Sequence, residues 1–291
     1  MLRQEGFILV PVLLVFAVIV AVVGDFSYEV YVNAGSLKNY VISQRLSVLA
    51  SSGLDFAITR INSYLKGLNY TVEREYLIDL SSLIGEENLS LTVLLTDENA
   101  KFNLNSFYTH IPAEKEKALA GFRRLLRALQ LDEDIAYRIS DWIDKDSQEE
   151  IPQSEKGAKN RPLYSIEELL QIPGITDEVY ERLLPYVTCF TDRRININSA
   201  PREVLLTMDG ITDTIASAIE TYRKDRAFED MADLKNVPGI SPELYNSLQG
   251  KYTIKALVYG ITVMANESGV KRYIHGVVNP DTGRLKYFRE E

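Results

Sequence analysis

The densest run of ligand-type side chains in this sequence is Asp144-Lys145-Asp146-Ser147-Gln148-Glu149-Glu150. Oxygen-bearing side chains stand at alternate positions, and two carboxylates follow before Pro152. Alternate oxygens in a turn can wrap a hard cation, because calcium takes several oxygen ligands and tolerates irregular geometry. A solvated acidic surface loop accounts for the same residues. The run is not an EF-hand loop, which needs a glycine at the sixth position and a distant glutamate. Zinc chemistry has little to work with, since the chain holds one cysteine, Cys189, and two histidines, His110 and His275, far apart in sequence. Cys189 can form no internal disulfide and is expected to pack as a small hydrophobe. Trp142, set between two acids, is expected to anchor a core. No acid, base or nucleophile has neighbours that would activate it, so no catalytic residue and no cofactor-binding residue is nominated and enzymatic activity is not expected.

Three glycine corners form a second pattern: Pro173-Gly174-Ile175, Asp209-Gly210-Ile211 and Pro238-Gly239-Ile240, each between apolar helical segments. The block 195–240 resembles the helix-hairpin-helix domain of competence DNA receptors. Those modules hold a phosphate with backbone N–H groups of a Gly-Ile-Gly hairpin leading into a helix N-terminus. Here Thr176, Thr212 and Ser241 replace the second glycine, and Asp177, Asp213 and Glu243 place a carboxylate where a phosphate would approach. Hydroxyls and acids at those positions cap a helix and complement its dipole. The corners therefore read as structural. The cluster Arg193, Arg194, Arg223, Lys224 and Arg226 keeps DNA binding open as an alternative, against a net charge of -9.

Elements must position these residues. A polar leader, residues 1–6 with Arg3, precedes the uncharged apolar run 7–23, which lies at the lower limit for a membrane span. Arg3 stands before the run and Asp25 and Glu29 after it, so the positive-inside rule puts the leader in the cytoplasm and the body outside. No small-x-small cleavage site follows the run. Gly6 directly before Phe7 resembles the type IV prepilin leader, which a dedicated peptidase cuts after the glycine. Residues 28–65 contain no proline, and Leu46, Leu49, Ala50, Leu54, Ala57, Ile58, Ile61 and Leu65 share one helical face. Gly24, Gly35 and Gly53 are weak points that could mark bends.

Strand-forming composition falls in two distant regions: 70–80 and 89–96, then 252–265, 271–278 and 284–288. Asn266-Glu267-Ser268-Gly269 and the loop 279–283 supply hairpin residues that tolerate positive φ. Helical pattern fills the space between, at 113–129, 132–143, 166–170, 177–184, 202–207, 212–224 and 242–249. This is a helical insertion into a sheet, and with 46% hydrophobic residues the chain can build a substantial core.

Three further segments carry a family resemblance. They are Asp97-Glu98-Asn99-Ala100-Lys101-Phe102-Asn103-Leu104-Asn105, with Ala100 in place of a usual glycine; Asp141-Trp142-Ile143-Asp144-Lys145-Asp146, followed by Asn160-Arg161-Pro162-Leu163; and Ile195-Asn196-Ile197-Asn198-Ser199-Ala200-Pro201. With the leader, and in this order, they resemble the minor pseudopilin GspK family of type II secretion systems. The resemblance implies an α+β fold, with a type IV pilin-like long N-terminal helix packed on an antiparallel sheet and a large all-α domain, SAM-like or helix-hairpin-helix-like, inserted in the sheet. The chain would divide into a leader (1–6), a transmembrane segment (7–24), the pilin helix and first strands (25–105), the inserted helical domain (106–250) and the last strands (251–291).

The same resemblance implies processing by prepilin peptidase between Gly6 and Phe7, methylation, and residence in the inner membrane as a single-pass protein with a periplasmic body. Pro11 stands where most pilins carry a glutamate. That departure fits the family, which lacks the glutamate and is thought to cap the pseudopilus tip in complex with other minor pseudopilins, supporting protein export across the outer membrane. Calcium is the implied ion, carried by Asp144, Asp146, Gln148 and Glu149. A membrane-anchored periplasmic DNA receptor is the alternative.

Overall fold

The computed structural model describes residues 5–65, 67–145 and 148–291, and the side chains of these except residues 5–8 and 65. Helix α1 (Glu5–Leu65) runs unbroken through Pro11, Gly24 and Gly35. Every described side chain over residues 9–41 is exposed. Burial begins at Ile42 and continues along one stripe through Leu46, Ala50, Leu54, Ala57 and Ile61, because residues three and four apart share a helix face. Leu49 and Ile58 flank the stripe, and the side chain of Leu65 lies outside the described residues. Gly53 is no bend. A Cβ there would lie 2.9 Å from Val263 Cγ1, so glycine lets the helix lie close against the sheet.

Strand β1 (Glu75–Asp79), the short helix α2 (Ser81–Ile84) and strand β2 (Leu89–Asp97) follow. The first strand is shorter than the expected 70–80 because Thr71 is used elsewhere, its N–H donating to Ile254 O at 3.0 Å. After Asp97 the chain leaves the sheet.

The excursion has two cores. In the first, β3 (Phe102–Asn103), α3 (Pro112–Ala128), α4 (Asp134–Ile143), α5 (Asp177–Leu183) and β4 (Val187–Thr188) enclose Phe122, Leu125, Ile139, Ile143 and Leu169. Trp142 and Cys189 are buried there, and burial pushes the Cys189 thiol up, away from thiolate chemistry. In the second, β5 (Ile195–Asn196), α6 (Arg202–Leu205), α7 (Asp213–Asp225), α8 (Pro242–Leu248) and β6 (Tyr252–Thr253) enclose Leu205, Ile219, Phe228, Leu234 and Tyr252. Each core is clasped by a parallel two-residue pairing, β3 with β4 and β5 with β6. The expected strand 252–265 is therefore two strands. The first part closes the helical unit and the second returns to the main sheet. Residues 166–170 and 231–236 are tight helical turns, not α-helices.

Strands β7 (Tyr259–Glu267), β8 (Val270–Asn279) and β9 (Arg284–Glu290) complete an antiparallel sheet of order β1-β2-β7-β8-β9. Alternate residues of β2 and β7 are buried beneath α1, as the twofold period of a strand requires. Ser268 and Gly269 turn the hairpin between β7 and β8 with φ of 52° and 89°, the pair of positive angles that a two-residue hairpin needs. Residues 98–105 and 251–258, expected with the pilin body, lie outside this sheet.

The placement of the insertion follows from the register. Leu89 pairs with Glu267 at one end of the sheet and Asp97 with Tyr259 at the other. Arg45, early on the packed part of α1, reaches Glu267 and Glu86. Phe56, Arg60 and Tyr64 lie by Leu95 and Tyr259. The chain thus leaves and re-enters the sheet at the end farthest from the exposed apolar half of α1.

Candidate functional site

The asparagine-rich motifs meet at that distal end. Asp97 is fully buried and accepts hydrogen bonds from Asn99 N at 2.8 Å, Asn196 Nδ2 at 2.7 Å and Ser199 Oγ at 2.6 Å. Asn99 Oδ1 accepts from Leu257 N at 2.9 Å and Val258 N at 3.1 Å, while its amide donates to Arg194 O at 2.8 Å. Asn198 Oδ1 accepts from Phe228 N, and its amide donates to Phe228 O and Ile254 O. Asn105 bonds the backbone of Leu163 in both directions and donates to Cys189 O. An asparagine side chain offers both donors and an acceptor, so each one replaces a missing backbone partner where strands end. Burial pushes the Asp97 carboxyl up to about 6, against the pull of its three donors. These residues form a junction that fastens both helical cores to the sheet. The sequence repeats Asn-x-Asn in two places, which was the available signal for this role.

A second fastening lies across β9. Glu167 receives Arg289 at 2.9 Å, Lys286 donates to Phe190 O at 2.8 Å, and the rings of Phe190 and Tyr287 lie 5.4 Å apart. The two helical cores are joined by α3, where Arg124 donates to Leu206 O and Thr207 O. Gly121 passes so near that a Cβ would lie 2.4 Å from Thr207 O.

The acidic loop projects from the first core. Asp144 is buried and its Oδ2 lies 2.8 Å from Lys115 Nζ, which also pairs with Glu150 at 3.1 Å. Gln148 and Glu149 are exposed, and Asp146 lies outside the described residues. At the base of the loop, Asp141 accepts from Glu150 N at 2.9 Å and from Ser154 Oγ, and its Oδ1 has no hydrogen-bond partner among the described residues. Burial raises the Asp141 carboxyl above its ordinary range. Among the described residues no three of His, Cys, Asp and Glu gather as a metal-binding group. The expected ligands Asp144, Asp146, Gln148 and Glu149 offer oxygens, which suit a hard cation and not zinc. Of the three expected ligands among the described residues, Asp144 alone is buried, and the Lys115 ammonium supplies positive charge beside it.

The glycine corners share one geometry. Gly174, Gly210 and Gly239 have φ of 91°, 81° and 91°. Thr176, Thr212 and Ser241 then cap α5, α7 and α8 by accepting from Val179, Ile215 and Leu244 N–H. The second and third corners pack on each other's helices, since a Cβ on Gly210 would meet Leu244 Cδ1 at 2.5 Å and one on Gly239 would meet Ile215 Cγ1 at 3.0 Å. Asp213 is paired with Arg202 at 2.9 Å. The arginine cluster is largely spent on the protein itself. Arg223 donates to Ile197 O and Ala200 O, Arg193 to Asn105 O and Tyr108 O, and Arg194 pairs with Asp192. DNA binding loses its support at this point, because the helix N-termini are capped and these guanidinium groups are engaged.

At the other end, α1 is long and apolar enough to cross a membrane by length and composition, and its apolar window is unburied. Residues 5–10 are already helical, which includes the expected cleavage point between Gly6 and Phe7. Residues 1–4 of the leader lie outside the described residues.

A helix long and apolar enough to cross a membrane, its second half laid on an antiparallel sheet opened distally by a helical insertion, defines a pilin-like α+β protein. Residues 100–192 match the family described as type II secretion system (T2SS), protein K, and residues 191–253 match the helix-hairpin-helix motif. Those two spans coincide with the two helical cores. The type II secretion system protein K of Klebsiella pneumoniae is 31% identical over 127 residues, an alignment that spans 36% of this chain and 37% of that relative. In fold, the chain is similar to one in the crystal structure of the GspK-GspI-GspJ complex from the enterotoxigenic Escherichia coli type 2 secretion system. The TM-score is 0.67 at 17% identity, covering 89% of this chain and 99% of that one. Type II secretion system protein K is thus what residues 100–192 are similar to in sequence, and the chain in that complex is what the whole chain is similar to in fold.

Proposed function

We propose that this chain is a minor pseudopilin of type II secretion that acts by assembly and not by catalysis. Anchored in the inner membrane by the start of α1, with its body in the periplasm, it joins other minor pseudopilins in a complex at the pseudopilus tip and supports export of proteins across the outer membrane. The observation that carries this reading is the position of the insertion. Two helical cores are attached at the end of the sheet farthest from the anchor, bound through Asp97 and Asn99, and would lie beyond the last subunit of a filament built from α1 helices. Bulk at that end blocks addition of a further subunit. Pro11, lacking the carboxylate that would pair with a neighbouring N-terminal amine, agrees with a subunit that has nothing above it.

Cleavage after Gly6 leaves Phe7 as the N-terminal residue available for methylation. The intact mass of the protein from host membranes tests this. Loss of residues 1–6 only in the presence of active prepilin peptidase, with co-purification of other minor pseudopilins, is the expected result. A leader that persists would remove the pseudopilin reading.

A calcium ion at the acidic loop, held by Asp144, Asp146, Gln148 and Glu149, would add to this role by stabilising the first helical core. The oxygen-only donor set and the buried, unsatisfied Asp141 Oδ1 at the base of the loop support it. An ion bound only by the folded form adds to stability by mass action.

A further inference from the structure

We propose that the outer edge of β1, with the groove between β1 and the last turns of α1, docks an extended strand of another protein in which apolar residues alternate with Lys or Arg. The proposal stands apart from the secretion role. Register establishes the free edge. Arg74 O accepts from Asp97 N, and Leu80 N donates to Leu91 O, both at 2.8 Å. Between them Tyr76 pairs with Leu95 and Ile78 with Val93. Antiparallel ladders bond alternate residues, so the even-numbered positions face β2 while the N–H and C=O groups of Glu75, Leu77 and Asp79 point away from the sheet. No proline lies on this edge, and β1 is the terminal strand of the sheet. Unpaired strand edges of this kind are templates for another strand.

Beside the edge lies a groove of about 760 Å³ whose walls include Phe56, Arg60 and Tyr64 of α1 and Tyr76 and Ile78 of β1. Residues from the last turns of α1 and from β1 face each other across this groove. Residues directly opposite each other in a sheet share a face. Partner residues across from Tyr76 and Ile78 would therefore enter the apolar groove, and those across from Glu75, Leu77 and Asp79 would lie on the open face, where Leu77 is 74% exposed.

Charge selects the partner. Glu73, Glu75 and Asp79 are exposed along the edge, and among the described residues Arg60 is the one cation lining the groove. A basic strand is complemented there. A second copy of this chain is not, because a twofold antiparallel pair centred on Leu77 sets Glu75 opposite Asp79, and like charges directly opposite are destabilising.

The test uses the full chain in detergent micelles and a fluorescent peptide, Lys-Val-Lys-Leu-Lys-Val-Lys, against its counterpart with Glu at every Lys. The basic peptide is expected to bind saturably, about tenfold or more tighter than the acidic one, and to slow amide exchange at Glu75, Leu77 and Asp79. Leu77→Pro removes an outward N–H without touching the ladder to β2, and is expected to weaken binding by a similar factor. Glu75→Lys with Asp79→Lys, which leaves the backbone edge intact, is expected to invert the peptide preference. Equal affinity for both peptides, indifference to both variants, protection of the edge by detergent alone, or self-association through it in sedimentation would each overturn the proposal.

Discussion

Asn99 Oδ1 accepts a hydrogen bond from the backbone N–H of Leu257 at 2.9 Å, joining two residues that lie 158 positions apart. One opens the helical excursion and the other closes it. The path out of the sheet and the path back are thus held by one side chain, and this contact and its neighbours fasten the helical cores to the sheet together with the contacts across β9.

Replacing Asn99, whose own side chain is fully buried, with Ala removes the acceptor for Leu257 and Val258 N–H and the donor to Arg194 O. Each buried group left without a partner costs on the order of 1–3 kcal/mol. Asn99→Ala is expected to lower unfolding free energy by about 2–4 kcal/mol in urea titration. A loss within error would mean that water enters the junction and replaces the amide.

Asp97 makes the junction pH-dependent. Its carboxyl titrates near 6 in the fold against 3.8 ordinarily, because burial disfavours the charge. Between those values the folded protein holds a proton that the unfolded chain has lost, so its contribution to stability falls as pH rises from about 4 to 6. On acidification from pH 7 to 4, the Asp97 contribution is expected to rise by about 2–3 kcal/mol. Asp97→Asn should lack that component. Unfolding free energies of both proteins across the range, subtracted at each pH, give the answer.

Two glycines separate backbone strain from packing. Gly250 has φ of 75° with open space around it, whereas Gly210, at 81°, lies against Leu244. Gly250→Ala is expected to cost about 1 kcal/mol, and Gly210→Ala about 3 kcal/mol, since the added methyl also forces Leu244 to move. Equal losses in thermal unfolding would show that the second and third corners do not depend on their mutual packing.

The proposed calcium ion competes in charge with Lys115. Calcium over EDTA is expected to raise Tm, and Lys115→Met should enlarge that shift. In EDTA the variant should lose about 3 kcal/mol, as removal of one member of a largely buried ion pair does. Identical melting in calcium and EDTA for both proteins would remove the ion from the proposal.

Arg223 distinguishes a structural arginine from a phosphate ligand. Its guanidinium donates to Ile197 O and Ala200 O, so Arg223→Ala is expected to destabilise the second core. Wild-type protein is expected to show no saturable binding to duplex DNA at 50 mM or 200 mM salt. A steep salt-dependent affinity would restore the DNA-receptor reading.

Elements whose signals are local are legible in the amino-acid sequence. The apolar run 7–23, the buried stripe from Leu46 to Ile61, the hairpin at Ser268-Gly269 and the capped corners at Thr176, Thr212 and Ser241 are written in residue type and spacing, because periodicity, positive φ and helix capping act over a few residues. The split of the sheet was also legible, since strand-forming composition stood at both ends of a helical middle. Tertiary structure alone decided that the middle holds two cores and not one, that residues 252–253 close a helical unit instead of extending a sheet strand, and that Gly53 serves close packing and not a bend. It also turned the asparagine motifs into a junction. Those outcomes depend on which distant backbone groups need partners once the chain is compact, and no local pattern records that Asn99 will find Leu257.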